Sequence, residues 1–511
     1  MAKKSSKKSD TETAVGKLDV GIEGFDIITY GGIPKNRTTL VTGTSGSAKT
    51  IFAIQFLAEG VLRGEHGVFV TFEERPEDIR KNINSLGWDI QKWEDEGKWI
   101  FVDASPVMEQ ETVISGDFDL GGLLSRVENA IHKVNAERVS IDALGAIFTA
   151  LGNSTIVRGE LLRAVFTLRS LGVTTILTAE RDEEYGQVAR FGVEEFVTDN
   201  VIILRNVLED EKRRRTIEVL KFRGANHQKG EFPFSIVSGR GIVIIPLSAL
   251  ELKQNSSYVR ISSGNEELDK MCGGGFYRDS IILVSGATGT GKTLTTTEFM
   301  AGGAKSGERC LLIAFEESRE QLVRNATGWG VDYRKWEEEG KLRVVCKYPE
   351  VSSLEDHLIS IKDSIEEFNP ARVALDSLSA VERISTTKGF REFIISVTSF
   401  IKHKEIAGLF TSTTPTLTGG SSVTEAHIST LTDSILILRY VEIYGEMRRG
   451  LTVLKMRGSM HDKDIREFTI DAEGMHIGKP FTNVTGILSG NPRHTATAAE
   501  DERLKDMFDN G

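Results

Sequence analysis

The chain has 511 residues, 63 Lys and Arg against 74 Asp and Glu, a net charge of -11 and a pI near 5.5. A single core is excluded at this length, since cores stop growing near ~250–300 residues, and the acidic balance speaks against a surface devoted to nucleic acid while leaving room for a local basic groove. Cys272, Cys310 and Cys346 fit neither a zinc site nor a disulfide framework and point to a reducing cytoplasm; no apolar run has membrane-spanning length, and the start has no secretory leader.

Residues 1–13 are basic and polar and read as a disordered tail. From residue 14, short β-branched runs (TTLVTG, GVFVTF, WIFVDA, RVSIDA, TTILTA) alternate with amphipathic segments such as TIFAIQFLAEGVLRG. Such alternation predicts an α/β fold with a mainly parallel sheet flanked by helices, its ligand site at the carboxyl ends of the strands. The first run leads into Gly43, Thr44, Ser45, Gly46, Ser47, Ala48, Lys49 and Thr50. This is a Walker A phosphate loop with Ala48 where the second motif glycine belongs. A methyl there is tolerated if the position has helical φ and strained if it needs φ > 0. Lys49 and Thr50 keep their places, so ATP binding is expected to survive.

Adjacent carboxylates, Glu73 and Glu74, end the next strand. Carboxylates this close repel, and one can orient or deprotonate a nucleophile near a γ-phosphate. Asp142 ends RVSID as a Walker B aspartate, expected to hold Mg²⁺ together with Thr50. Lys221 and Arg223, with His227 beyond, read as two cations on one strand face, suited to a phosphate such as one held by a neighbouring subunit.

The chain then repeats itself. Lys49 and Lys292 lie 243 positions apart, as do Glu73 and Glu316. Asp142 and Asp376, Lys221 and Lys455, Arg223 and Arg457, and His227 and His461 lie 234 apart, so the first copy carries nine extra residues net between those marks. The copies span 14–246 and 258–490, joined by a linker over 247–257 and followed by a polar tail over 491–511. In the second copy Gly286, Ala287, Thr288, Gly289, Thr290, Gly291, Lys292 and Thr293 form a complete Walker A between a strand and a helix. Backbone N–H groups and the helix dipole are expected to take the phosphates, Lys292 the β- and γ-phosphates, and the Thr293 hydroxyl the Mg²⁺. Asp376 is the second Walker B residue, and Glu316 and Glu317 the second acidic pair.

IEGFDIITYGGIP, TFEERPED, ARFGVEEFVTDN, LRNVLEDEKRRRT, MCGGGF, SGATGTGKT, ALDSLSA, EAHISTLTDSI and KMRGSMHDK together resemble the KaiC family, over residues 21–490. The resemblance implies two tandem RecA-like P-loop NTPase domains stacked as two rings of a homohexamer, with ATP between neighbouring subunits. It implies slow ATP hydrolysis in the N-terminal ring, and serine/threonine autophosphorylation and its reversal in the C-terminal ring, on Ser429 and Thr430. Glu316 is then the general base and faces the metal with Thr293 and Asp376, with Glu317 beside it; Lys455 and Arg457 act on the neighbour's ATP, and Arg383 lies near the phosphorylated threonine. A KaiB-like partner is expected. The short, unlike C-terminal tail leaves dependence on a KaiA-like activator open, and Thr424, Glu425, Ala426 and His427 depart from the Thr-Asp-Ser-His of cyanobacterial members. The internal repeat adds an independent reading: Glu195 and Phe196 stand where the second copy has Ser429 and Thr430, so only the second copy has hydroxyl acceptors there. Two rival readings share the fold, a RecA- or DnaB-like ATPase acting on single-stranded DNA and a nucleotide-gated scaffold without kinase activity.

Overall fold

The computed structural model describes residues 16–105, 120–145, 154–190, 192, 194–209, 212–245, 257–414, 428–443, 445–482, 484–488 and 493–494. Contacts divide the chain into two units, Met1–Ala249 and Leu250–Gly511. Each has one nine-stranded sheet.

In the first unit the sheet strands are β1 (Thr38–Gly43), β2 (Gly67–Thr71), β3 (Trp99–Asp103), β4 (Arg138–Asp142), β5 (Thr174–Glu180), β6 (Asn200–Glu209), β7 (Lys212–Phe222), β8 (Glu231–Val237) and β9 (Gly241–Ile244). Their spatial order is β3-β2-β4-β5-β1-β6-β7-β8-β9. The six from β3 to β6 run parallel and the last three continue as an antiparallel meander. The second unit repeats this order with β10 (Ile281–Gly286), β11 (Cys310–Phe315), β12 (Leu342–Lys347), β13 (Arg372–Asp376), β14 (Ala407–Thr413), β15 (Ser434–Ile443), β16 (Glu446–Met456), β17 (Arg466–Asp471) and β18 (Gly474–Pro480).

The central strands are covered on both faces, so their sequences run apolar without alternation. Every residue of β1 and of β10 is buried. The helices α1 (Lys49–Leu62), α2 (Leu120–Val134) and α3 (Ser154–Ser170) belong to the first unit, and α4 (Lys292–Lys305), α5 (Leu354–Phe368) and α6 (Thr387–His403) to the second. Ser353 caps α5 in a capping box with Asp356, and the Thr386 hydroxyl accepts from the Gly389 amide at the start of α6.

The duplication extends to buried ion pairs. Arg138 and Arg372, 234 positions apart, are each 1% exposed. Arg372 bonds Glu308 at 2.6 Å and donates to the carbonyls of Ser262 and Phe299 at 2.6 and 3.0 Å. Arg138 pairs with Glu65 and donates to the carbonyls of Asp19 and Phe56 at 2.8 and 2.7 Å. Such bonds offset the cost of burying a guanidinium, although Nη2 of Arg138 has no partner among the described residues. Two RecA-like units in tandem account for the architecture.

Candidate active sites

In both units the phosphate loop follows the strand at the centre of the sheet and opens the helix behind it. Lys49 Nζ donates to the carbonyls of Gly43 and Thr44, both at 3.0 Å; Lys292 Nζ donates to those of Gly286 and Ala287, both at 2.9 Å. The Ser47 hydroxyl donates to the Thr44 carbonyl and the Thr290 hydroxyl to that of Ala287, both at 2.8 Å, so each loop is braced by its own side chain. Burial lowers the pKa of both lysines; around Lys49 the carboxylates of Glu180, Asp142, Glu73 and Glu184 oppose it, and around Lys292 only Asp376 is resolved as doing so.

The Walker B residues sit beside the loops. Thr50 Oγ1 donates to Asp142 at 2.7 Å, and Thr178 bonds the other oxygen of the same carboxylate. Thr411 Oγ1 donates to Asp376 at 2.5 Å, and Thr293 also bonds that carboxylate. Burial pushes both carboxyls up, and the hydroxyl donors hold them back. Among the described residues no group of three or more His, Cys, Asp or Glu forms a metal cage. One carboxylate and one hydroxyl beside a phosphate loop fit Mg²⁺ instead, which keeps its waters and takes substrate phosphates as ligands.

The sequence left the conformation at Ala48 open, and the structure closes the question. Ala48 has φ 77° and ψ 28°, the left-handed region, and Gly291 has φ 109° and ψ 17°. The methyl of Ala48 packs against the apolar core of its unit. The first loop therefore carries a strained non-glycine residue where the second has glycine.

The acidic pairs behave differently in the two copies. Burial, then the charges of Glu180 and Asp142, pushes the Glu73 carboxyl up against the pull of Lys49, while Glu74 accepts from Asn82 at 3.3 Å. In the second unit Glu316 has φ 82° and pairs with Arg383. Glu317 is half-buried, its Oε2 has no hydrogen-bond partner among the described residues, and burial followed by the Asp376 charge pushes its carboxyl up. Both carboxylates line a cavity of about 500 Å³ with Lys292, Thr293 and Asp376. Trp329 and Arg449 line it too, and the buried Nε of Arg449 lacks a partner among the described residues. The sequence reading missed both. A signal existed for Arg449: it matches Arg215 at offset 234, and Arg215 Nε donates to the Gly46 carbonyl of the first loop at 3.2 Å.

Ser429, Thr430, Lys455 and Arg457 come together, but not at the phosphate loop of their own unit. Lys455 Nζ donates to the carbonyls of Ser429 and Thr432 at 2.6 and 2.7 Å, and Arg457 to that of Thr430 at 2.8 Å. The first copy repeats this: Lys221 reaches the carbonyls of Glu195 and Thr198 at 2.8 and 2.7 Å, and Arg223 meets Asp199 at 3.4 Å. The lysines lie in β7 and β16, whereas the arginines lie one residue past the strand ends, so the expected strand face is shared with the turn that follows. His227 packs on the Phe222 ring, 5.9 Å between centroids, and burial lowers its pKa. His461 is half-buried in the matching turn. Thr424, Glu425, Ala426 and His427 lie outside the described residues.

Strand register fixes the separation. Gly286, the last residue of β10, pairs with Leu438 midway along β15, and Ile282 pairs with Ser434, the first residue of β15. The acceptors precede Ser434, so the length of β10, roughly 17 Å at ~3.3 Å per residue, separates them from the loop of their own unit.

No helix among the described residues is long and apolar enough to cross a membrane. The profile of the family described as "ATPase: KaiC" matches residues 18–249 and again 261–481. The chain is 68% identical over 501 residues to "Circadian clock protein KaiC3" of Synechocystis sp., covering 98% of this chain and 99% of the relative. It is 54% identical to "Circadian clock oscillator protein KaiC" of Thermostichus vulcanus and 52% identical to that of Synechococcus elongatus, covering 98% of this chain and 96% of the relative in both cases. Two matched ATPase domains and near-complete coverage at these identities place the chain in the KaiC family.

Proposed function

We propose that this chain is a circadian clock ATPase and serine/threonine autokinase, hydrolysing ATP in its first unit and phosphorylating Ser429 and Thr430 in its second. The observation that carries this reading is the placement of the acceptors. They sit at the amino end of β15, a sheet length from the loop of their own unit, and are held there by Lys455 and Arg457. An acceptor so placed needs the ATP of another copy, which supports a closed ring, here a homohexamer, with nucleotide at each interface.

In this mechanism Lys292 and the loop amides bind the phosphates of ATP; Thr293 and Asp376 would hold Mg²⁺, which would supply charge neutralisation at the phosphates. A carboxylate of the Glu316–Glu317 pair takes the hydroxyl proton of the neighbour's Ser429 or Thr430. The hydroxyl oxygen bonds to the γ-phosphorus, the bond to the bridging oxygen breaks, and ADP leaves. Arg449 and Trp329 join the nucleotide site on the loop side. In the first unit Lys49, Thr50 and Asp142 play the binding roles, and Glu73 or Glu74 activates water in place of a protein hydroxyl. Glu195 and Phe196 offer no hydroxyl where the second unit has its acceptors.

Identity of 68% to a protein named KaiC3, against 52–54% to proteins named KaiC, supports a non-standard family member, and the family resemblance supports a KaiB-like partner. The acceptor segment favours the autokinase over a single-stranded DNA motor or an inert scaffold. Full-length protein incubated with labelled ATP and Mg²⁺, then peptide-mapped, tests this. Label on Ser429 or Thr430, lost in Lys292→Ala and strongly reduced in Glu316→Gln, is expected. ATP hydrolysis without label would remove the kinase assignment and make DNA binding the next assay.

A further inference from the structure

A carboxylate outside the Walker motifs holds the first phosphate loop. Thr44, which follows the leading glycine of that loop, donates from Oγ1 to Glu184 Oε1 at 2.6 Å. The other oxygen, Oε2, accepts from the Asn206 amide of β6 at 3.0 Å. Both bonds are donated to the carboxylate, so the ionised form makes the two at once, and charge-assisted bonds of this kind are the strong ones. Glu184 thereby joins the loop to the neighbouring strand, since β6 pairs directly with β1 up to Gly43, where the loop begins.

Glu184 is itself fixed. Its carbonyl accepts from Arg205 Nε at 3.1 Å, and the buried Arg205 bonds Glu218 at 2.6 Å and has Glu231 at 3.4 Å. The centre of the Tyr185 ring lies 5.0 Å from the same guanidinium. Arg181, also buried, closes the turn by donating to the carbonyls of Gly186 and Gln187 at 3.1 and 2.9 Å. The second copy cannot repeat this device. Ala287 stands at offset 243 from Thr44 and has no hydroxyl to donate. At offset 234, Pro415, Thr452 and Ile465 replace Arg181, Glu218 and Glu231, and residues 414–424 contain no Asp or Glu.

We propose that Glu184 is a positioning residue of the first nucleotide site, holding the phosphate loop in shape through the Thr44 hydroxyl before nucleotide arrives. The proposal rests on the reading of the first unit as an ATP site. A loop whose backbone is already held needs less ordering when the phosphates bind. This loop has particular need of support: Ala48 sits at φ 77°, and strain of that kind persists only where the surroundings over-determine the backbone. Ser47 braces the loop from within, Arg215 bonds the Gly46 carbonyl, and Glu184 fixes the residue that leads into it. The negative charge of Glu184 works against a phosphate, yet of the four carboxylates that act on Lys49 it is the one felt least. The bond to Thr44 therefore sets the sign, and Glu184 favours nucleotide.

Equilibrium binding of a fluorescent ATP analogue and steady-state ATP hydrolysis test the proposal, both with Mg²⁺ on the full chain carrying Lys292→Ala to silence the second site. Thr44→Ala copies the second loop and leaves the first to be ordered by the nucleotide itself. Ordering the backbone of one residue corresponds to about a tenfold rise in dissociation constant. KM should rise by the same factor with kcat unchanged, because the loss falls equally on the bound ground state and the transition state. Glu184→Ala should match Thr44→Ala, the double variant should match either single one, and Thr44→Ser, which keeps the hydroxyl, should restore the parent values. Parent affinity in Thr44→Ala would overturn the proposal. So would single effects that multiply in the double variant, since Glu184 would then act by a route other than Thr44. A parent chain that does not bind the analogue would remove the ATP-site reading, and the proposal with it.

Discussion

Exchanging the residues that open the two phosphate-loop helices should have unequal effects. At Ala48, φ 77° and ψ 28° lie near the left-handed minimum. Replacement by glycine relieves roughly 1–2 kcal/mol of left-handed strain. It also loosens the unfolded chain by roughly 0.4–1 kcal/mol and removes a methyl worth up to ~0.8 kcal/mol of apolar contact. These contributions nearly cancel, so Ala48→Gly should change the stability of the first unit by less than about 1 kcal/mol. At Gly291, φ 109° is farther from that minimum, and a Cβ would lie 3.1 Å from Ile470 Cδ1 and 3.6 Å from Met475 Cε. Here left-handed strain and crowding add, at roughly 1–2 and 1–3 kcal/mol, and only the stiffer unfolded chain offsets them. The net is a loss of about 2 kcal/mol of stability in the second unit. Equilibrium urea unfolding of the full chain measures both, the two units being told apart by amide hydrogen exchange of peptides from each. A neutral Gly291→Ala, or a large gain in Ala48→Gly, would refute the reasoning.

Lys455→Met removes the donor to the Ser429 and Thr432 carbonyls, so the acceptor segment should loosen and label on Ser429 and Thr430 should fall at least ~10-fold, as expected when charge-assisted bonds are lost; phosphopeptide yields check this. Arg372→Met leaves Glu308 with Arg278 as its remaining partner and takes the donor from two carbonyls inside the second unit. Urea unfolding should show a loss of about 2–4 kcal/mol, from two buried acceptors left without their donor. Burial pushes the thiols of Cys272 and Cys310 up to about 12, leaving roughly one thiolate in ten thousand at about pH 8. Mass mapping after iodoacetamide should therefore find Cys346, which is only half-buried, modified first.

Sequence and structure agree most closely where a motif is local. Lys49, Thr50, Lys292, Thr293, Asp142 and Asp376 could be placed because a phosphate loop needs fixed residue types at fixed spacing, and the repeat supplied a second copy of each. The cluster of Lys455 and Arg457 with the acceptors was legible as a repeat, but its partners were not, because backbone carbonyls carry no sequence signature. Arg449 and Trp329 reach the second site from a distant strand and helix end, a placement only the tertiary fold determines. The turning of Glu316 toward Arg383, with Glu317 left beside Asp376, depends on a positive φ that two adjacent glutamates do not announce. Gln55 and Glu298 match at offset 243, but their bonds to the Ile242 and Met475 amides, 187 and 177 residues away, have no local signature.

The central claim, that an acceptor takes phosphate from the ATP of another copy, is tested most directly by mixing two inactive partners. One carries Lys292→Ala and keeps Ser429 and Thr430; the other carries Ser429→Ala and Thr430→Ala and keeps its second phosphate loop. After co-assembly with labelled ATP and Mg²⁺, label should appear on Ser429 or Thr430 of the Lys292→Ala chain, and only in the mixture. If that chain stays unlabelled while wild-type protein labels under the same conditions, transfer runs within one copy and the account fails.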